Sequence, residues 1–231
     1  MINQIRIALA GNPNTGKSTL FNTLTGLKQH TGNWAGKTVD IKEGAFVHKG
    51  KSYNMIDLPG TYSLFSNSLD EETARNFIVF EKPELTIVVP DATALERNLN
   101  LALQVLELTE KVIVCINLMD EAEKMGIRIN EKILMRRLGV PVIKISARNK
   151  TGLPLLLDTI ERVVTGVIPC SPVKVQYDDE TEQKLEYLLP MVQKVFGNNV
   201  PARWLSLRLL DGDEKLLEEL KDRHLSKEGL N

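Results

Sequence analysis

The sequence predicts an α/β fold: a mostly parallel six-stranded sheet with helices on both faces, followed by a small all-helical C-terminal domain. Three observations predict it. Short apolar runs alternate with helix-period segments from residue 4 to about 165, the pattern of a parallel sheet covered by crossover helices. A glycine-flanked loop separates the first apolar run from the first helical segment. After Gly166 only helical patterns remain. With 231 residues, 42% hydrophobic and 26% charged, the chain can build one medium domain and one small one.

The first strand candidate is 4–10, where Ile5-Arg6-Ile7-Ala8-Leu9-Ala10 reads as a buried run. Leu20, Phe21 and Leu24 mark the inner face of the helix that follows. Runs 38–47 and 52–57 are joined by His48-Lys49-Gly50-Lys51, short enough for a hairpin, so one antiparallel edge strand is expected. Asp70-Glu71-Glu72 suits the first turn of a helix, where the dipole favours negative charge; its inner face carries Ala74, Phe77 and Ile78. Strand candidates 85–90, 112–117 and 141–146 follow. Leu99, Ala102, Leu103 and Leu106 form one intervening helical face. Leu153, Leu156, Leu157, Ile160, Val163 and Val164 form the last, at i, i+3, i+4, i+7 spacing.

Two prolines in Ile168-Pro169-Cys170-Ser171-Pro172 disfavour a continuing helix and read as a linker. Beyond it, Leu185, Leu188, Leu189, Val192, Val195 and Phe196 share one helical face, and Leu216, Leu217 and Leu220 another. Between them Pro201 opens a short helix carrying Trp204, Leu205 and Leu209. The expected organisation is a sheet domain over 1–166, a linker over 167–175 and a helical domain over 176–231.

A net charge of −1 supplies no basic field for nucleic acid. Two cysteines do not make a disulfide framework. Cys115 reads as a small core residue, and Cys170 receives no role. His30, His48 and His224 share no metal-ligand spacing, so no iron site is expected within the chain. No run approaches the roughly 20 apolar residues that span a bilayer. The N-terminus enters a strand at once, so the expectation is a soluble chain without a signal peptide, suited to a reducing compartment.

Residues 11–18, Gly11-Asn12-Pro13-Asn14-Thr15-Gly16-Lys17-Ser18, match G-x-x-x-x-G-K-[ST] between a strand and a helix. In that context the loop turns its backbone N–H groups around a phosphate, and the helix N-terminus adds partial positive charge. Lys17 then reaches the β- and γ-phosphates, the Ser18 hydroxyl ligates Mg²⁺, and Thr19 joins the nucleotide-binding residues. Asp57-Leu58-Pro59-Gly60 closes the strand that includes Tyr53–Ile56. A carboxylate there suits Mg²⁺, and the Gly60 N–H is placed to meet the γ-phosphate. Asn117-Leu118-Met119-Asp120 closes the strand that includes Val112–Ile116. The Asp120 carboxylate can accept from guanine N1–H and the exocyclic amine, a donor pair adenine lacks, while Asn117 can bond the purine N7 and brace the phosphate loop. Ser146-Ala147-Arg148 follows the strand over 142–145, with the Ala147 N–H directed at guanine O6. Each motif alone is a polar strand end. In order, at successive strand ends, they specify GTP with Mg²⁺.

Gly32-Asn33-Trp34-Ala35-Gly36-Lys37-Thr38-Val39-Asp40, taken with Asp57-Leu58-Pro59-Gly60-Thr61-Tyr62-Ser63-Leu64, resembles the G domain of the bacterial ferrous iron transport protein B (FeoB) family, a Ras-like P-loop GTPase. The resemblance covers residues 3 to about 165, and more loosely the helical region, which in that family follows the G domain and favours GDP. It implies that residues 28–40 form switch I and 58–70 switch II. Gly36, Lys37, Thr38, Val39 and Asp40 then face the nucleotide, and Thr38 joins the Mg²⁺ shell and senses the γ-phosphate. Lys37 departs from the apolar residue usual at its position.

The resemblance also implies a cytoplasmic, slowly GTP-hydrolysing regulatory part of a multi-pass inner-membrane Fe²⁺ transporter. Its expected partners are the membrane domain of the same protein, small Feo proteins and further copies of itself; the lack of a membrane-spanning run suggests a piece of a longer chain. Asn14, Lys17, Thr38 and Gly60 are the expected catalytic residues. Thr61 stands where many GTPases place a water-orienting glutamine, and no arginine stands out as a finger in cis. Resemblance to cation-dependent GTPases offers K⁺ instead, held by Asn14 with switch I carbonyls near Gly32–Trp34. Trp34 itself reads equally as an exposed side chain or a packing anchor. Two alternatives stay open. One is an RNA-associated GTPase of the ribosome-assembly type, whose appendix is usually basic, whereas this one mixes Asp and Glu with Lys and Arg. The other is a GTP binder that does not hydrolyse.

Overall fold

Strands form where the chain can bury side chains against a sheet, and among the described residues six of the seven strands coincide with the strand candidates of the sequence. They are β1 (Ile5–Ala10), β3 (Asp40–His48), β4 (Lys51–Asp57), β5 (Leu85–Val88), β6 (Val112–Ile116) and β7 (Val142–Lys144); the seventh is β2 (Gln29–Asn33). The structure, a computed structural model, describes residues 4–26, 29–33, 40–65 and 68–228, with the backbone alone at 29–33, 40 and 222–228. The sheet order is β2-β3-β4-β1-β5-β6-β7. β1 runs parallel to β4 and β5, and β5, β6 and β7 are parallel in turn. β3 is antiparallel to β4 on one side and to β2 on the other. Gln29-His30-Thr31-Gly32-Asn33 has no apolar residue and so no period-two signal; at the sheet edge, backbone pairing with 40–44 forms the strand without one.

Around the sheet lie α1 (Lys17–Thr25), α2 (Leu69–Asn76), α3 (Leu95–Leu108), α4 (Met119–Lys124), α5 (Glu131–Leu138) and α6 (Leu153–Val164). One face of the core joins Ile7 and Leu9 of β1 to Leu20 and Phe21 of α1 and to Leu156 and Ile160 of α6. Ala8 and Ala10, equally buried, point to the opposite face. Burial on both sides explains why β1 and β6 read as continuous apolar runs. The Ser68 hydroxyl accepts from the Glu71 N–H at 3.2 Å, with Asp70, Glu71 and Glu72 in the first turn of α2. The Ala74, Phe77, Ile78 face is buried as expected, though the helix widens to one π turn over Phe77–Glu81.

The β3–β4 hairpin turns at Lys49 and Gly50, with φ of 45° and 74°, the left-handed pair that a two-residue hairpin turn demands. Phe46 and Tyr53 pair across it and stack with ring centroids 5.0 Å apart. Its tip is tied to α6: Lys49 meets Asp158 at 2.8 Å and Glu161 at 3.2 Å, Lys51 meets Glu161 at 3.2 Å, and His48 Nε2 lies 3.0 Å from Asp158.

The chain divides into two compact units, Met1–Lys174 and Val175–Asn231. The whole proline-flanked segment, 168–172, therefore belongs to the sheet unit. The Ser171 N–H donates to Gly139 O at 2.9 Å and the Val173 N–H to Leu138 O at 3.0 Å. A Cβ on Gly139 would lie 1.9 Å from Ser171 O, so this close approach requires glycine. The Cys170 thiol sits 3.8 Å from Val112 O. Cys115 is fully buried, which pushes its thiol pKa up.

The second unit comprises α7 (Asp179–Phe196), α8 (Ala202–Leu210) and α9 (Glu214–Glu228). Asp178 caps α7 by accepting from the Thr181 N–H at 2.9 Å. Leu185 and Val192 of α7, Trp204 and Leu205 of α8, and Leu216 and Leu220 of α9 are buried, while Val195 is exposed. Arg203 donates both Nη groups to Glu182, at 2.9 and 2.8 Å, a bidentate pair. The Arg203 guanidinium, helped by the Tyr177 N–H, pulls the Glu182 carboxyl down from 4.5 to about 2. Because the folded value lies below the unfolded one, the stabilisation is complete above pH 4.5 and is lost as pH falls toward 2. Thermal melts followed by circular dichroism from pH 6 to pH 2 should show this loss. Glu182→Gln should remove part of the pH slope in that window; an unchanged slope would show that the pair does not carry it.

Candidate nucleotide site

The residues singled out at strand ends converge at the carboxyl ends of β1, β4, β6 and β7, where open α/β sheets bind ligands. After β1 the chain turns sharply, with φ of 65° at Asn14 and 76° at Gly16. A Cβ on Gly16 would lie 2.4 Å from Asn117 Nδ2, and one on Gly11 would lie 2.9 Å from Val89 O. Both glycines therefore let the loop pass close to its neighbours. The Thr15 hydroxyl donates to Asn12 O at 3.0 Å, closing the loop on itself. Pro13 is half-exposed, Asn14 and Thr19 are exposed, and Asn12 is buried with its Oδ1 lacking a hydrogen-bond partner.

Lys17 and Asp57 are both buried and form an ion pair. The Lys17 ammonium also donates to Leu58 O at 2.6 Å, and the exposed Ser18 places its hydroxyl 3.4 Å from Asp57 Oδ2. An ammonium, a hydroxyl and a carboxylate thus sit together at the first turn of α1, which has no acidic residue of its own. Pro59 and Gly60 are half-exposed, and Thr61 is buried with its N–H donating to Gly11 O at 3.2 Å.

Asn117 is 1% exposed and joins two loops through one amide. Its Nδ2 donates to Thr15 O at 2.9 Å, and its Oδ1 accepts from the Ala147 N–H at 2.9 Å. The brace on the phosphate loop is as expected. The Ala147 N–H, assigned to a base oxygen from sequence, here donates to Asn117. Leu118, at φ 63°, turns the chain so that Met119 opens α4 and Asp120 falls in its first turn. The Ser146 hydroxyl chiefly, then the local backbone and the charges of Lys124 and Arg148, hold the Asp120 carboxyl below its ordinary pKa. One oxygen, Oδ1, is buried with no hydrogen-bond partner. An ionised acceptor of that kind matches a pair of N–H donors. Ser146 and Thr151 exchange two backbone bonds at 3.2 Å, Ala147 is buried and Arg148 is exposed.

Gly36, Lys37, Thr38, Val39 and Trp34 lie outside the described residues, and Asp40 is described by its backbone, paired with Asn33. Three supports were missed. Gly152 closes the turn after Ser146, where a Cβ would lie 2.4 Å from Lys144 O; a glycine just ahead of an apolar helical face is the signal that could have found it. Pro90 and Ala92 exchange backbone bonds with Asn117 at 2.9 Å each. Asp91 caps the turn below by accepting from the Thr93 N–H at 2.7 Å, and Asp-x-Thr after a strand is its signal. Among the described residues no group of three His, Cys, Asp or Glu could hold a metal ion.

The family model described as ferrous iron transport protein B matches residues 5–160. The chain belongs to that family. A second FeoB model, the cytosolic helical domain, matches residues 177–230. The Fe(2+) transporter FeoB of Shigella flexneri is 41% identical over 223 residues, 91% of this chain and 27% of the relative. A fusion of Fe(2+) transport protein A with FeoB in Porphyromonas gingivalis is 38% identical, over 92% of this chain and 26% of the relative. The chain therefore spans about a quarter of the curated FeoB proteins it matches. Among solved structures, the cytosolic domain of T. maritima FeoB in a GDP form superposes with a TM-score of 0.87 at 36% identity, covering 94% of this chain and 85% of that one. FeoB membership makes the sheet unit a P-loop GTPase domain and does not favour the ribosome-assembly alternative. Among the described residues no helix is long and apolar enough to cross a membrane.

Proposed function

We propose that this chain is the nucleotide-regulated N-terminal part of a ferrous iron transporter, binding GTP and GDP and hydrolysing GTP slowly. In this reading the G domain spans 1–166, a linker 167–175 and the helical domain 176–231. The observation that carries it is the Asn117 amide, which ties the phosphate loop to the Ala147 turn while Asp120 presents a buried, unpartnered acceptor beside it. Gly11 to Thr19 hold the phosphates; Asn117, Leu118, Met119, Asp120, Ser146, Ala147 and Arg148 surround the base. Ser18, Asp57 and Thr38 would hold Mg²⁺, their hard oxygens suiting it. When bound, the ion neutralises charge on the phosphates. Thr38 and the Gly60 N–H sense the γ-phosphate, and Gly36, Lys37, Val39, Asp40, Leu58 and Pro59 line the nucleotide beside them. The rest of the transporter, outside this chain, is the partner at the inner membrane. The P. gingivalis fusion supports a small Feo protein as a second partner.

Thr61 cannot orient water as a glutamine does, so basal turnover is expected at about 10⁻⁴–10⁻² s⁻¹, as for unassisted GTPases. Asn14, exposed and held at φ 65°, would hold K⁺, which when bound offsets charge developing on the phosphates. GTP hydrolysis should therefore run faster in KCl than in NaCl, and Asn14→Ala should abolish the difference. Equal rates in both salts for the unaltered chain would exclude the K⁺ role.

A further inference from the structure

Two side chains of α3 grip the segment after Asp57, and the nucleotide motifs account for neither. Gln104 Oε1 accepts from the Leu64 N–H at 2.7 Å. A backbone donor requires an acceptor, which fixes the oxygen end of the amide toward Leu64. Two helical turns earlier, on the same face of α3, the Arg97 guanidinium lies 5.7 Å from the centroid of the Tyr62 ring. Residues 58–64 are also held from the phosphate-loop side. Lys17 donates to Leu58 O, the Thr61 N–H donates to Gly11 O, and a Cβ on Gly60 would lie 3.4 Å from Pro13 Cα. Gly60 thus lies beside Pro13 of the phosphate loop, with room between them for no more than a side-chain carbon.

A γ-phosphate reached by the Gly60 N–H would have to enter between Gly60 and that loop. The arrangement fits a nucleoside diphosphate and must loosen for a triphosphate. We infer that Gln104 is a positioning residue: by holding Leu64 it keeps Gly60 against Pro13 and biases the site toward diphosphate over triphosphate. Arg97, stacked on Tyr62, adds to the same bias. The inference rests on the guanine-nucleotide reading above. A ligand shifts such an equilibrium only by its differential affinity for the two arrangements, so the signature is the ratio of the two affinities.

The test measures GDP and a non-hydrolysable GTP analogue binding to the 231-residue chain and its variants. Gln104→Leu keeps the size of the side chain and removes the acceptor. It should raise the triphosphate-to-diphosphate affinity ratio by about two- to tenfold, the range for one neutral hydrogen bond. Gln104→Glu retains an acceptor and should return the ratio to its original value, a rescue that a merely structural role would not give. Arg97 is exposed, so Arg97→Ala should fold even if Gln104→Leu does not, and should move the ratio the same way by about twofold. An unchanged ratio in Gln104→Leu, or in Arg97→Ala should the former not fold, overturns the inference. Equal effects of Gln104→Glu and Gln104→Leu also overturn it. If the unaltered chain binds neither nucleotide, the guanine-nucleotide reading itself fails, an outcome distinct from an unchanged ratio.

Discussion

Asp120→Asn should convert the chain from a GTP binder to an XTP binder, with GTP affinity falling by about 10³-fold. The magnitude follows from two hydrogen bonds to a charged acceptor, each contributing about 1.5–3 kcal/mol. The asparagine amide offers one acceptor and one donor group where guanine presents two donors, whereas xanthine presents a carbonyl that the new donor can meet. Asp120 lies in the first turn of α4 and is half-exposed. Asn is tolerated at helix starts, so the fold should survive. Competition binding with GTP, XTP and ITP reads the change directly. Retention of full GTP affinity would show that the base does not meet this carboxylate. An intact Asn117 bridge, checked by an unaltered melting temperature, separates lost recognition from a collapsed site.

Much of this site is legible in the sequence because phosphate, Mg²⁺ and base chemistry demand particular residue types at strand ends. Lys17, Asp57 and Asn117 follow one another at intervals of 40 and 60 residues in the chain, yet the mostly parallel sheet brings them together. β1 and β6 are equally legible, since burial on both faces writes a nearly unbroken apolar run; β4, which carries Asp57, shows itself only through Tyr53, Met55 and Ile56 among polar residues. β2 is not legible, because its pairing uses backbone groups that every residue possesses. α5 is not legible either: it exposes Ile133 and Met135 and buries Leu138 alone, so no inward stripe marks it. What holds the site in place is similarly hidden. The donation from the Ala147 N–H to Asn117 and the acceptor that Gln104 offers Leu64 depend on three-dimensional proximity that spacing does not encode.

Lys17→Met should have two separable effects, and the Lys17–Asp57 pair explains why. Both side chains are buried, so removing the ammonium leaves the Asp57 carboxylate without its partner charge. Breaking a buried pair from one side destabilises by about 3–5 kcal/mol, which urea unfolding of the nucleotide-free chain should register. Removing the second charge as well, in Lys17→Met with Asp57→Asn, should restore much of that stability, since a neutral amide costs far less to bury. Restoration should be incomplete, because Leu58 O also loses its donor. Nucleotide binding should behave oppositely. It should be lost in the single variant and stay lost in the double one, where the phosphates lack their lysine and the Mg²⁺ its carboxylate. A double variant no more stable than Lys17→Met would show that the pair carries no buried-charge penalty. Recovered GTP binding in that double variant would instead remove Lys17 from the phosphate site, since both charged groups assigned to the triphosphate would then be dispensable.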